Sequence, residues 1–198
     1  MNFLAHLYLS GDDQKIMVGN FIADFVKGKI ALTQFEPEII KGIELHRAID
    51  EFTDSHPVVT LSKNRLRPKY RHYSGVIVDV FYDHFLARNW NNYHTDLLPD
   101  FVDHAYTIIQ SFDSILPTDV KYMMPYMIKG NWLVNYSKTE EIHRALSGMS
   151  RRTPYESKME ESIVDLENHY EDFKKEFENF FPQLQAFSQK FLTCYTRA

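Results

Sequence analysis

The sequence predicts an all-α protein, one helical bundle of about eight helices covering residues 1–198. Three observations lead there. Apolar residues recur at three- and four-residue spacing, whereas the strict alternation of a strand is nowhere sustained. Only 7 Gly and 8 Pro punctuate 198 residues, too few for many short strands and their turns. The 44% hydrophobic and 15% aromatic content is that of a well-packed globule with a sizeable core.

The elements follow in order. Residues 2–9 form a short apolar helix that ends at Ser10-Gly11. Asp12 or Asp13 caps a second helix through "KIMVGNFIADFVKG", which stops at Gly28. A third begins near Pro37, a residue suited to the first helical turn, and continues to about Ser55 before His56-Pro57. "TLSKNRLRPKYRHYSG" reads as a basic connection, partly helical. "GVIVDVFYDHFLARNW" then forms a long buried helix to about Asn91. "LLPDFVDHAYTIIQSFDSIL" is amphipathic, with Phe101, Ala105, Ile108, Ile109 and Phe112 on one face. Pro117 and Pro125 bracket a further helix, and "WLVNYSKTEEIHRALSGMS" holds one or two more. From Pro154 a long charged helix runs to Pro182, which separates it from a last helix bearing Leu184, Phe187, Phe191 and Leu192.

Composition narrows the function. The formal net charge is −5, and no binding motif is present, which disfavours nucleic acid. A single cysteine, Cys194, excludes an internal disulfide and suits a reducing compartment. The start "MNFLAHLYLSGDD" lacks a basic leader region, and no uncharged apolar stretch approaches the roughly 18 residues of a membrane span. The expectation is a cytoplasmic protein.

The chemistry sits in the first half. Asp79, Asp83 and His84 interrupt an otherwise apolar helix, and a buried carboxylate without a partner is costly. The same i,i+4 spacing recurs at Asn2/His6, Asn20/Asp24 and His46/Asp50, placing each pair on one helix face. Four such faces can meet around a divalent cation, and this mixture of oxygen and imidazole donors suits Mn²⁺, Mg²⁺ or Fe²⁺. His84 lies about 140° around the helix from Asp79, so it is a supporting group, a proton shuttle or a core histidine. His56 either completes the site from a loop or interacts with a helix end.

The motifs "MNFLAHLYLS", "GNFIADFVKG", "GIELHRAIDEFTDSHP" and "SGVIVDVFYDHFLARNW" closely resemble the acyl carrier protein phosphodiesterase family. The likeness is strongest over residues 1–90 and thins to about Thr153. It implies hydrolysis of 4′-phosphopantetheine from the serine of acyl carrier protein, a divalent metal, typically Mn²⁺, and a distant relation to the all-helical HD phosphohydrolases. Those enzymes use an adjacent His-Asp doublet. Here the doublet is reversed, Asp83-His84, so roles do not transfer position by position.

The expected ligands are therefore His6, Asp24, His46, Asp50, Asp79 and Asp83, with Asp24 also in the chemistry and His84 or His56 protonating the leaving group. The carrier is acidic, so a local basic patch must receive it. Arg65, Arg67, Lys69 and Arg71 (with Lys63) are candidates, as are Arg151-Arg152, while Arg47 either forks onto a phosphate or pairs with Glu44 or Glu51. Rival readings are an HD-like phosphohydrolase of a nucleotide or other small phosphoester, and a noncatalytic module that only grips the carrier.

Overall fold

The computed structural model describes residues 1–28 and 34–195. Those residues contain α-helices and short 3₁₀ turns and no strand, as the periodicity requires. Asn2 and Asp13 cap the first two helices, α1 (Phe3–Tyr8) and α2 (Gln14–Ile22). Pro37 opens α3 (Pro37–Ser55), and His56 caps α4 (Pro57–Tyr70), whose first residue is also proline. The buried helix α5 (Ser74–Arg88) follows, then α6 (Leu98–Ser111), α7 (Thr118–Lys129), α8 (Trp132–Asn135), α9 (Thr139–Ser150), α10 (Ser162–Asn168) and α11 (Tyr170–Cys194).

Helix α5 is the axis of the molecule. It packs against α1, α4, α9 and α11, so apolar residues cover nearly its whole circumference. One continuous core runs from Leu4 and Phe21 through Phe81 and Phe85 to Phe177, Phe180 and Phe181. A polar knot ties α4 to α11. Arg65 holds Glu176 through two parallel bonds of 2.8 Å, and Ser62 bonds the Tyr82 hydroxyl at 2.9 Å.

The crossing of α2 and α3 positions the functional residues. Gly19 and Gly42 face one another there: a Cβ on Gly19 would lie 2.0 Å from the Ile39 carbonyl oxygen, and one on Gly42 2.2 Å from that of Ile16. Only hydrogen at both positions lets the two backbones approach so closely.

Four expectations about elements are corrected. The basic connection is a full helix, α4, continuing past Pro68. Neither Pro125 nor Pro182 ends a helix; both lie inside one. An interior proline costs about 3 kcal/mol. Burial of Met124 and Met127 in α7, and of Phe180, Phe181 and Leu184 in α11, offsets that cost. Helix α2 gives way to a 3₁₀ turn at Ala23–Phe25, before Gly28. No long helix starts at Pro154; helix resumes at Ser162 and is interrupted at His169, which adds α10 to the expected count.

Candidate metal centre

Three side chains from two helices converge. His6 comes from α1, His46 and Asp50 from one face of α3, and one ligand atom of each lies within 4.8 Å of the others. The imidazole rings of His6 and His46 stack with centroids 3.8 Å apart and planes 15° from parallel. Asp50 bridges them, its Oδ1 3.2 Å from His6 Nε2 and its Oδ2 3.2 Å from His46 Nε2. Asp24 adds an oxygen 3.2 Å from His46 Nε2 and is largely exposed, so the cluster opens to solvent on its carboxylate side.

Asn20, fully buried on α2, orients both rings. Its amide nitrogen donates to the His6 carbonyl oxygen (2.8 Å) and to Ser10 Oγ (3.0 Å), which fixes Oδ1 as an acceptor. His6 Nδ1 therefore donates to Asn20 Oδ1 at 2.9 Å, and His46 Nδ1 donates to the Asn20 backbone oxygen at 2.9 Å. Holding both Nδ1 atoms as donors turns both Nε2 atoms toward the common point. Oxygen acceptors behind ligand imidazoles are the usual support of metal-binding histidines. His6 Nε2 is buried and has no hydrogen bond despite its nearness to Asp50. A buried nitrogen lone pair beside two carboxylates is a fit for a cation.

The electrostatics agree. Burial lowers the His46 pKa, yet hydrogen bonds and charge from Asp24 and Asp50 outweigh it and raise the value to about 9. Burial also works against the Asp50 carboxylate, but His46 and His6 hold it well below the usual range. The hydrogen bond from His46 lowers Asp24. His6, desolvated and beside His46, falls to about 4 and stays neutral. The carboxylates thus draw one positive charge to a spot that already holds a neutral imidazole.

Asp79 and Asp83, expected among the ligands, lie outside the group formed by His6, His46 and Asp50. Both oxygens of Asp83 accept from the first turn of α1, from Asn2 N–H at 3.2 Å and Leu4 N–H at 2.8 Å. That turn has unpaired donors and a positive dipole end, which is what a buried carboxylate needs. Burial still lifts the Asp83 pKa to about 7. Asp79 Oδ1 takes the Met1 ammonium at 2.9 Å, and the same ammonium stands 3.7 Å from Asp50 Oδ1. No residue code announces a terminal amine, so sequence reasoning had no means of finding this partner.

His84 and His56, expected as proton donors, make their hydrogen bonds outside the cluster. His84 is fully buried, with Nδ1 on the Tyr136 carbonyl oxygen (2.8 Å) and Nε2 on the Tyr170 hydroxyl (3.0 Å). His56 caps α4 by accepting from Val58 N–H at 3.3 Å, and its ring packs on Phe52 and Phe180. Of the basic residues, Arg65 is committed to Glu176, Lys63 to Asp54, and Lys69 to Glu161 and Asp165. Arg67, Arg71 and Arg151 are exposed and form no ion pair among the described residues. Arg47 is also exposed and donates to the Val26 carbonyl oxygen at 3.4 Å, pairing with neither glutamate. Arg152, exposed as well, lines a cavity of about 690 Å³ beside the cluster.

No helix among the described residues is long and apolar enough to cross a membrane. No solved structure matches the chain. Curated relatives do. An acyl carrier protein phosphodiesterase of Photorhabdus laumondii is 35% identical over 185 residues, covering 93% of each chain. The protein of that name from Yersinia enterocolitica is 35% identical over 190 residues, 96% of this chain and 98% of its own. The one from Salmonella agona is 34% identical over 187 residues, 94% and 96% respectively. The family model for acyl carrier protein phosphodiesterase matches residues 1–184, well beyond the stretch where short motifs were legible. The chain belongs to the acyl carrier protein phosphodiesterase family.

Proposed function

We propose that this protein is a metal-dependent phosphodiesterase that removes the 4′-phosphopantetheine group from acyl carrier protein. The observation that carries the reading is the convergence of His6 Nε2, His46 Nε2 and Asp50 in a chain of this family. His6, His46 and Asp50 would hold the ion, with Asp24 beside them at the open side. A donor set of two histidines and a carboxylate accommodates Mn²⁺ or Fe²⁺, and Mn²⁺ is the ion that the family resemblance implies. Such an ion supplies a Lewis acid that screens the phosphodiester, acidifies water and stabilises the departing serine oxygen.

The chain's own residues do the rest. Asp24, Asp50 and Asp79 are three carboxylates at one mouth, and without compensating charge they would repel an anionic phosphodiester. The Met1 ammonium neutralises part of that charge on Asp79. Asn20 keeps both imidazoles in the required tautomer. Asp24, lowered in pKa and therefore ionised, accepts a hydrogen bond from the attacking water and orients it. The acidic carrier would be steered by exposed Arg67, Arg71, Arg151 and Arg152.

The test is incubation of holo carrier protein with the protein and Mn²⁺, read by intact mass. Loss of the phosphopantetheinyl mass, absent with chelator, supports the reading. An unchanged carrier mass across a series of divalent ions overturns it.

A further inference from the structure

The cavity of about 690 Å³ is larger than any packing defect and within the range of ligand sites. Phe3, Phe25, Met123, Trp132, Tyr136 and Met149 form most of its wall, and α7, α8 and α9 frame it. Two of its lining residues neighbour the cluster along the chain. Phe3 stands one turn before His6 on the same face of α1, and Phe25 follows Asp24 directly. Phe25 also lines a second hollow of about 810 Å³ that includes Asp24, and the two hollows share Asp119. A chain leaving the metal centre past Phe25 would therefore enter an apolar, aromatic chamber.

We propose that this chamber is the subsite for the pantetheine arm of the substrate, an assignment that rests on the phosphodiesterase reading above. When the phosphate sits at the cluster, the arm must extend away from the carrier. The arm is narrow, mostly methylene and methyl, and broken by two amides. Apolar walls match its carbon skeleton, and the Tyr136 hydroxyl and Trp132 indole N–H supply hydrogen-bonding groups for the amides. Arg152 at the rim, exposed and without an ion pair among the described residues, faces the acidic protein that presents the arm, whereas Arg144 is paired with Glu141. This places the carrier over the mouth of the chamber, against α7 and α9.

Gly148 provides the probe. It lines the chamber from within α9, and a Cβ built there meets no atom within 4 Å. Gly148→Leu should therefore fill the chamber without disturbing its frame, and Gly148→Ala serves as a near-neutral companion. Only Trp90 and Trp132 fluoresce as tryptophan, and Trp90 is 3% exposed, so a ligand in the chamber reports through Trp132. Titrating metal-free protein with millimolar pantetheine should shift the emission of wild type and of Gly148→Ala, and of Gly148→Leu at least tenfold less readily. With holo carrier and Mn²⁺, Gly148→Leu should raise KM at least tenfold, with a smaller change in kcat. If Gly148→Leu does not fold, Ala145→Leu fills the same chamber from the same helix. No emission change in wild type, or equal binding by wild type and the filled variant, overturns the assignment. Pantetheine binding without carrier turnover would keep the subsite and overturn the phosphodiesterase reading instead.

Discussion

Gly19 and Gly42 meet back to back where α2 crosses α3, and a Cβ on either would lie 2.9–3.0 Å from the other's Cα. This contact sets the distance from Asn20, on α2, to His46, on α3. Gly42→Ala should push the helices apart and lower stability by roughly 3 kcal/mol, the upper end of overpacking costs. It should also weaken Mn²⁺ binding, because the His46 Nδ1 bond to the Asn20 carbonyl oxygen would stretch. Thermal unfolding and metal titration check both, and an unchanged Tm would show that the crossing tolerates more than its geometry suggests.

Asn20→Ala removes the acceptor of His6 Nδ1 and two donors, to the His6 carbonyl oxygen and to Ser10. Loss of such support behind a ligand histidine typically costs 10–100-fold in metal affinity. Saturating Mn²⁺ should restore much of kcat, which separates an orienting role from a direct one.

Asp50→Asn and Asp83→Asn should fail in different ways. Asp50 bridges the Nε2 atoms of the two imidazoles, so Asp50→Asn should abolish metal retention, measured by elemental mass spectrometry, while helicity persists. Asp83 is bound to the start of α1 by backbone N–H groups. Asp83→Asn should leave metal stoichiometry at wild-type level and lower stability by about 1–3 kcal/mol, since one buried donor loses its acceptor. Metal loss in the Asp83 variant at a temperature where it is folded would return that residue to the ligand set.

Acid should unfold the protein partly through His84. Burial lowers its pKa from 6.5 to about 4, with Arg88 adding to the effect, against the hydrogen bond that its ring donates to the Tyr136 carbonyl oxygen. Between those values the unfolded chain binds the proton and the folded one does not, so stability rises with pH across that window. The stabilising difference is fully present above pH 6.5 and is lost as pH falls through about 4. Its size is of order 3 kcal/mol. His84→Gln, which has no titrating ring, should reduce the slope of the stability profile between pH 4 and 6.5 and leave the share that His6 contributes over the same window, measured by urea unfolding at each pH.

Much of this was legible in the residues. Helix starts after Asp12-Asp13 and at Pro37 follow from capping chemistry alone. The His46/Asp50 pair declared its common face by spacing, and His6 reached the same point from α1. Asp79/Asp83 showed identical spacing and a different role. Periodicity says which residues share a face, not what lies opposite, and opposite Asp83 lies a helix start rather than a cation. The interior prolines misled for a related reason. Propensity is local, while the burial that carries α11 through Pro182 is tertiary. Arg65 was read as surface charge because its partner, Glu176, stands 111 residues away.

The metal donors His6, His46 and Asp50 all precede the end of α3, yet the groups that seat α1 come much later. Asp83 grips its first backbone amides, and the Tyr136 hydroxyl accepts from the Asn2 side chain across 134 residues of sequence. A nascent chain released after α3 would own every donor atom and no centre. Under the metal-dependent reading proposed above, ion capture would be a late event in biogenesis, completed only once the C-terminal half has docked, and the bound ion would in turn favour that docking.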